Sequence, residues 1–305
     1  MKDIKKWEGC LLGLACGDAV GASVEFMARG SFPKVIDMNG GGPFNLPKGY
    51  YTDDTIMAVC LAESLILCEG FNAKDQMNRY VNWYDYGYNS PTGTCFDIGT
   101  TTATALEKYK EDGNPFAGNI SMRASGNGGI MRLAPIPMAY KYSQDAAKYS
   151  NEMSRTTHAS EFCLTCSSIF GSILWLALHG YNKQEISDYI QVRLFEEPVF
   201  KKVPIDVLKP NYMDKTIHEI KGSGFVLESL EAALWCFFKT DNYKDAVLMA
   251  VNLGDDTDTT GAIVGQLAGA YYGIDSIPLN WREQIYNHDG LIQLSRQLYD
   301  MSCIE

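Results

Sequence analysis

Apolar residues recur at three- and four-residue steps along most of this chain, the spacing that places them on one face of an α-helix. In residues 53–68 these positions are Ile56, Val59, Cys60, Ala62, Leu65 and Ile66. Val- and Ile-rich runs do not alternate with the helical stretches, so a parallel sheet is not indicated. The pattern predicts helices at 4–27, 53–68, 73–86, 100–110, 143–156, 160–179, 183–194, 225–238, 243–252, 257–272 and 291–301. We therefore expect an all-α protein.

A chain of 305 residues that is 46% hydrophobic can bury a substantial core. Repeats and low-complexity tracts are absent from the sequence and no boundary is marked, so we predict one domain over residues 1–305. The loop 39–51 is rich in glycine and proline. The segment 195–224 carries Pro198, Pro204 and Pro210 with several charges, and we predict either a surface excursion or a poorly packed insert.

Acidic residues outnumber basic ones, with 37 Asp and Glu against 26 Lys and Arg, which gives a net charge of −11. Such a chain does not hold nucleic acid by general electrostatics, because phosphate binding requires a basic face. Asp18 and Glu25 soon interrupt the apolar run 10–16, and no other stretch reaches the roughly 18 apolar residues of a membrane span. Glu8 argues against a signal peptide. We expect a soluble, cytoplasmic protein without nucleic-acid or membrane partners.

The nine cysteines are odd in number and scattered through apolar stretches, which is typical of reduced thiols in a cytosolic core. Cys163 and Cys166 form a Cys-x-x-Cys pair. A zinc site would require a second pair or nearby histidines, and only His158 is close. A redox motif would follow a strand, whereas this pair lies in a predicted helix. We expect both thiols to pack in the core.

Glycines recur every fourth residue along the first predicted helix. They are Gly9, Gly13, Gly17 and Gly21. This spacing places them on one face, and a face without side chains lets another helix approach closely. Glu25 follows on the same stripe and is a candidate metal ligand, because a carboxylate on a tightly packed face is seldom a solvated surface group. Residues 257–272 are also rich in alanine and glycine, which predicts a buried central helix.

Two short acidic runs lie far apart in the sequence, and each begins a predicted helix. Residues 51–55 read Tyr-Thr-Asp-Asp-Thr, and residues 254–261 read Gly-Asp-Asp-Thr-Asp-Thr-Thr-Gly. An acidic residue or a threonine at a helix start is ordinarily a cap. Asp255, Asp256 and Asp258 with three threonines exceed any capping need. The second run also lacks the glycine and glutamate positions of a calcium EF-hand.

Carboxylates and hydroxyls are the hard oxygen ligands that Mg²⁺, Mn²⁺ and Ca²⁺ prefer over thiolate or imidazole. If the fold brings the two runs together, their carboxylates share one small volume. Such a cluster repels itself unless a divalent cation neutralises it. The two runs therefore predict a metal-dependent enzyme.

Two turns rich in glycine, threonine and asparagine, at residues 96–102 and 125–132, lead into helices. Backbone N–H groups at such starts bind phosphate oxygens. Neither turn is a Walker loop, because Gly-Lys-Ser/Thr is missing, and neither follows a strand as a dinucleotide fingerprint does. His158 is one of four histidines. Taken alone, it is typical of a helix cap or a surface residue. The sequence shows no Ser-His-Asp or Cys-His arrangement.

Taken together and in this order, these motifs resemble the ADP-ribosylglycohydrolase family, of the dinitrogenase-reductase-activating glycohydrolase type. The matching segments are 9–26, 51–65, 96–102, 126–137, 157–160 and 252–273. The pairing of the two acidic runs carries the specificity of the match, whereas the glycine turns alone would not. The resemblance implies a compact, orthogonal helical bundle with two Mg²⁺ or Mn²⁺ ions in a central cleft.

The resemblance also implies roles for particular residues. The metal ligands would be Thr52, Asp53, Asp54, Asp256, Asp258 and Thr259. The catalytic carboxylates would be Glu25, Asp53, Asp54 and Asp97. The ADP-ribose contacts would be Gly99, Thr100 and Thr101 at the phosphates, Asn127, Gly128, Gly129 and Met131 along the cleft, and His158 near the nucleotide. Asp255 stands where the family often has a second glycine, and its role is not assigned.

The leading hypothesis is hydrolysis of an N-glycosidic bond between ADP-ribose and a protein side chain, with arginine as the favoured acceptor. Asp53 or Asp54 would transfer a proton, and Asp97 would meet the guanidinium leaving group, because a carboxylate matches that fork. The partner is then an ADP-ribosylated protein. Two alternatives remain, a two-metal phosphoester hydrolase and an inert ADP-ribose-binding or structural protein.

Overall fold

Helix follows helix through residues 2–196, 198 and 212–304, the part of the chain that this computed structural model describes. The helices are α1 Ile4–Gly21, α2 Asp53–Leu67, α3 Ala73–Tyr86, α4 Thr100–Asp112, α5 Gly128–Met131, α6 Pro135–Ala139, α7 Ser143–Arg155, α8 Glu161–Leu178, α9 Lys183–Glu196, α10 Val226–Lys239, α11 Tyr243–Val251, α12 Thr257–Tyr272, α13 Leu279–Gln284 and α14 His288–Cys303. Within these residues β structure is limited to isolated bridges. The predicted all-α class is confirmed.

The observed bounds follow the predicted ones closely, and α3 and α12 match them at both ends. The helices α5, α6 and α13 were not predicted, because four to six residues are too few to show a period. The predicted helix 4–27 is shorter than expected. After α1 ends at Gly21, a 3₁₀ turn follows at Ala22–Val24, and Phe26 takes φ 62°. A left-handed residue cannot continue a helix, so the chain turns there.

The glycine-spaced faces of α1 and α12 pack against each other with their backbones in contact. The facing pairs are Gly9 with Gly269, Gly13 with Gly265 and Gly17 with Gly261. The residue number rises along α1 from pair to pair while it falls along α12, so the two helices are antiparallel. A Cβ on Gly17 would lie 2.1 Å from the carbonyl oxygen of Gly261, and one on Gly21 would lie 2.2 Å from that of Thr257. The end of α1 is thereby fixed beside the first turn of α12.

The buried apolar side chains of the described residues form one connected cluster that reaches from Trp7 to Leu298. By length and composition alone, α8 is apolar enough to cross a membrane, but 72% of its residues are buried inside the fold, as in a core helix. Cys163 and Cys166 lie in α8, both buried, and all nine cysteines are free thiols. The expected packing of the Cys-x-x-Cys pair in the core is confirmed.

Of the segment 195–224, residues 197 and 199–211 lie outside the described residues. Residues 212–224 are mostly exposed, and the buried Tyr212 and Ile220 anchor them to the fold. Lys215 forms an ion pair of 2.6 Å with the buried Glu231 of α10. Of the two predicted alternatives, residues 212–224 fit the surface excursion. This stretch supports α10 and reaches the second acidic run.

Candidate active site

The two acidic runs meet where the first turns of α2 and α12 face each other. The Thr52 hydroxyl oxygen lies 3.1 Å from Asp258 Oδ2 and 3.2 Å from Asp54 Oδ2. On the other side, Thr259 Oγ1 lies 3.4 Å from Asp54 Oδ2. The antiparallel packing of α1 on α12 adds a third contributor, because the chain leaving α1 brings Glu25 to Asp256 and Asp258. Three separate stretches of sequence thus meet here, and Asp97 joins them from a fourth.

Carboxylate oxygens of this cluster converge closely enough to share cations. Three sets each lie within 4.8 Å of one another: Asp18, Asp54 and Asp258; Glu25, Asp256 and Asp258; and Asp53, Asp97 and Asp258. Asp258 belongs to all three sets and lies at the first turn of the central helix α12. The predicted carboxylate ligands Asp53, Asp54, Asp256 and Asp258 are therefore close neighbours in space.

The unsatisfied atoms of the cluster fit a divalent cation. Buried oxygens without a hydrogen-bond partner in the described residues are Glu25 Oε2, Asp54 Oδ1, Asp97 Oδ2 and Asp258 Oδ1. The Thr52 hydroxyl lies within hydrogen-bond distance of the carboxylates of Asp18, Asp54 and Asp258. Its single hydrogen can be donated to only one of them. Buried acceptors are normally paired, and hard anionic oxygens at this density are the ligands of Mg²⁺, Mn²⁺ or Ca²⁺. The donor set fits such ions.

Burial is the main cause of raised pKa values throughout the cluster, and neighbouring carboxylates add to it. Burial, then repulsion from Asp258, raises the pKa of Glu25 to about 10. Burial, then Asp53, raises the pKa of Asp97 to about 11. The pKa of Asp258 is raised well above its usual range by burial and then by Asp256. A cluster of this kind resists full ionisation unless a cation supplies the opposite charge.

Asp18 is part of this cluster, although the sequence did not single it out. It is wholly buried in α1. Its Oδ1 accepts hydrogen bonds from Thr52 N and Oγ1 at 2.9 and 3.0 Å, and its Oδ2 accepts from Thr55 N and Oγ1 at 3.1 and 2.6 Å. Because both oxygens are engaged, Asp18 holds the first turn of α2 in place. Its position on the glycine-rich face of α1, next to Gly17, was the available signal.

A cleft of about 330 Å³ opens over the carboxylates. Its predicted lining residues are Glu25, Asp53, Asp97, Gly99, Thr100, Thr101, Asn127, Gly128, Met131, His158, Asp256, Asp258 and Thr259. Residues that were not predicted also line it: Phe26, Ile98, Thr102, Gly126 and Gly224. Of these, Phe26 has a side chain that is 67% exposed.

Three predicted site residues are not among those that line the cleft. Thr52 and Asp54 are wholly buried beneath it, within the cluster. Gly129 lies behind the wall, where a Cβ would be 2.4 Å from Ser154 Oγ and 3.0 Å from Ser167 Oγ. The structure therefore gives Gly129 a packing role in place of the predicted position along the cleft, because its α-carbon is pressed against two buried serines.

Asp255 is exposed and belongs to none of the three carboxylate sets. It has φ 65°, and its N–H and C=O pair with Met27 O and Phe26 N at 2.8 Å each. A left-handed conformation of this kind is one that glycine adopts without strain. The structure therefore accounts for this position by its left-handed backbone conformation.

The walls of the cleft offer hydrogen-bond donors above the carboxylate floor. Gly99 precedes α4 without a side-chain cap, so the first N–H groups of α4 beside Thr100 and Thr101 are free to meet an anion. Across the cleft, Asn127 Nδ2 donates to Asp256 Oδ2 at 2.7 Å and to Ser229 Oγ at 3.0 Å. Asn127 therefore orients Asp256 as well as lining the wall.

Comparison with known proteins agrees with this geometry. The sequence model described as ADP-ribosylglycohydrolase matches residues 2–303. The chain belongs to the ADP-ribosylglycohydrolase family. The resemblance noted in the sequence is thereby confirmed, and membership indicates ADP-ribosyl hydrolase activity for this chain.

Several relatives cover nearly all of the chain. ADP-ribosylarginine hydrolase Tri1 of Serratia proteamaculans (strain 568) is 38% identical over 305 residues, covering 99% of this chain and 81% of that protein. The ADP-ribosyl-[dinitrogen reductase] glycohydrolase of Rhodospirillum rubrum is 28% identical, covering 91% and 89%. A solved ADP-ribosylglycohydrolase-related protein complex has a chain that matches this protein with TM-score 0.82 and 38% identity, covering 98% of both chains.

Proposed function

We propose that this protein hydrolyses the N-glycosidic bond between ADP-ribose and an arginine side chain of a modified protein, with Mg²⁺ or Mn²⁺ as cofactor. We further propose that it acts as one domain in the cytoplasm. The observation that carries the proposal is the convergence of both acidic runs beneath a cleft, with buried carboxylate oxygens that lack partners.

The residues that would hold two cations are Thr52, Asp53, Asp54, Asp256, Asp258 and Thr259, with Glu25 at the edge of the cluster. When bound, the ions would neutralise the carboxylates, hold ribose hydroxyls and lower the pKa of a water molecule. Asn127 would keep Asp256 oriented through its 2.7 Å hydrogen bond. Asp18 would do the same for the first turn of α2.

In the proposed reaction, the oxygen of water forms a bond to the anomeric carbon of the ribose as the bond from that carbon to the guanidine nitrogen breaks. The electron pair of the broken bond stays on the nitrogen, which takes up one proton, so the proton that the attacking water releases balances the one that the guanidine gains. Asp53 lines the cleft whereas Asp54 is buried beneath it, so Asp53 is the carboxylate placed to accept the proton of the attacking water. The products are ADP-ribose and unmodified arginine.

Arginine is the favoured acceptor for two reasons. Asp97 lines the cleft and its Oδ2 has no hydrogen-bond partner among the described residues. A carboxylate accepts a guanidinium through paired, charge-assisted hydrogen bonds. In addition, two relatives at 38% and 39% identity carry the name ADP-ribosylarginine hydrolase. We expect the diphosphate of the substrate to lie at the start of α4.

The test is product analysis with three substrates: an ADP-ribosylated arginine peptide, an ADP-ribosylated serine peptide and an activated phosphodiester. With Mg²⁺, we expect free ADP-ribose from the arginine peptide and little from the others. Among the three substrates, the arginine peptide should show the largest loss of turnover in Asp97→Asn. Release of phosphate or nucleotide would favour the phosphoester hydrolase, and tight ADP-ribose binding without turnover would favour the inert module.

A further inference from the structure

Arg132 is wholly buried behind the cleft, and no carboxylate of the described residues forms an ion pair with it. One guanidinium nitrogen donates to Thr157 Oγ1, and Nη1 lies 3.7 Å from Met57 Sδ. The guanidinium carbon lies 5.0 Å from the centre of the Tyr80 ring. A buried charge without an ion pair stabilises a fold less than an apolar side chain of similar volume. Packing alone therefore does not account for an arginine here.

Thr157, also wholly buried, connects Arg132 to His158. Its hydroxyl oxygen accepts from Arg132 and lies 2.8 Å from His158 Nδ1. Every polar hydrogen of a guanidinium is a donor, so Thr157 acts as an acceptor on that side. Its own hydrogen then has Nδ1 as its acceptor. A protonated Nδ1 would leave the hydroxyl hydrogen buried without an acceptor among the described contacts, which is costly.

The other ring nitrogen of His158, Nε2, is on the side of the ring that is available to the cleft. Nε2 forms no hydrogen bond with a described residue, and His158 lines the cavity. Glycines let the ring lie against the opposite turn, because a Cβ on Gly128 would be 2.9 Å from Nε2 and one on Gly126 would be 3.2 Å away. With Nδ1 accepting from Thr157, the hydrogen of a neutral imidazole resides on Nε2.

We propose that Arg132 and Thr157 are positioning residues that hold His158 as the neutral Nε2–H tautomer, which presents a fixed hydrogen-bond donor to an acceptor oxygen of the ligand. Burial and the neighbouring Arg132 also lower the pKa of His158 to about 3, which keeps the ring neutral at physiological pH. That the ligand is ADP-ribose rests on the proposed function, whereas the tautomer does not.

The tautomer is measured by ¹H–¹⁵N correlation spectra of protein with ¹⁵N-labelled histidine at neutral pH, in which His158→Gln assigns the signal. In the wild type we expect a protonated Nε2 and an unprotonated Nδ1. Thr157→Val removes the hydroxyl with little change of shape and should yield a mixture or the opposite tautomer, whereas Thr157→Ser should retain the wild-type pattern. A wild-type Nδ1–H tautomer would overturn the proposal even if no variant folds.

Binding of ADP-ribose, followed by calorimetry in Mg²⁺ buffer, tests the consequence. One hydrogen bond lost corresponds to an affinity about tenfold weaker for Thr157→Val than for Thr157→Ser. Near-ultraviolet circular dichroism checks that both variants keep the native packing. Equal affinities would overturn the assignment of Thr157. Failure of the wild type to bind ADP-ribose would overturn the proposed function, while the spectra still decide the tautomer.

Discussion

Thr52 Oγ1 lies 3.1 Å from Asp258 Oδ2, although 206 positions of sequence separate the two residues. This contact joins the first turn of α2 to the first turn of α12. Thr52 Oγ1 also lies 3.0 Å from Asp18 Oδ1 of α1. Repulsion among the carboxylates opposes this arrangement, while the packing of the three helices enforces it. Substitutions in either run should therefore change activity and stability in opposite directions.

Asp258→Asn should lower turnover at least ~100-fold, more than is typical for loss of a group that only supports a ligand. The same change should stabilise the metal-free protein, because burial and Asp256 raise the pKa of Asp258, and keeping that carboxyl group in the cluster at neutral pH costs folding free energy. Initial rates with ADP-ribosylated arginine and urea unfolding in chelator measure the two effects. Asp255→Asn is the matched control and should leave both unchanged, since Asp255 is exposed. Full activity of Asp258→Asn would refute its assignment as a ligand.

Asp18→Asn should raise the Mg²⁺ concentration needed for half-maximal activity about 10–100-fold, because Asp18 holds the first turn of α2 through both of its oxygens. The amide nitrogen would face Thr52 or Thr55 donors that now meet a carboxylate, so the first turn of α2 would shift. The Mg²⁺ concentration for half-maximal activity measures this effect, with far-ultraviolet circular dichroism as the check on folding. An unchanged Mg²⁺ requirement would show that α2 is held by other contacts.

Acid should destabilise the protein partly through His158. Burial and Arg132 lower its pKa from 6.5 to about 3 on folding, so the unfolded state binds more protons between those values. The stability that depends on the neutral ring is fully present above pH 6.5 and is lost as pH falls toward 3. His158→Gln should therefore reduce the loss of unfolding free energy by up to about 1.4 kcal/mol per pH unit.

Urea unfolding from about pH 7 to pH 5 provides the comparison. The exposed His218 supplies the control, since His218→Gln should leave the acid sensitivity of the wild type in place. Equal acid sensitivity of the wild type and His158→Gln would mean that the His158 ring takes up a proton in the folded state.

Gly17→Ala should destabilise the fold by about 3 kcal/mol, because the new methyl group would enter a backbone contact that cannot yield. Its Cβ would lie 2.1 Å from Gly261 O and 2.6 Å from Gly261 C. Gly290→Ala is a helical comparison whose Cβ would lie 2.5–2.7 Å from the Asn287 side chain, which can rotate away, and not from backbone. It should destabilise the fold by less than Gly17→Ala does. Equal free energies of unfolding would exclude close packing of α1 on α12.

The helical class and most of the site could be predicted from sequence, because helical periodicity and acidic runs are local patterns. The glycine spacing of α1 predicted a close contact but not its partner, since local spacing does not say which helix lies opposite. Gly261, Gly265 and Gly269 repeat the same spacing, and this pattern in the sequence indicates α12 as the partner of α1. The turn at Phe26 could not be predicted, because a left-handed phenylalanine is imposed by tertiary contacts with Asp255.

The central claim is that residues of both acidic runs share divalent cations, and Mn²⁺ binding to chelator-treated protein tests it most directly. Electron paramagnetic resonance of free Mn²⁺ during a titration should show saturable binding of about two ions per chain. Asp53→Asn in one run and Asp258→Asn in the other should each lower the number or affinity of the bound ions. Absence of saturable binding, or wild-type binding in both variants, would contradict a shared site.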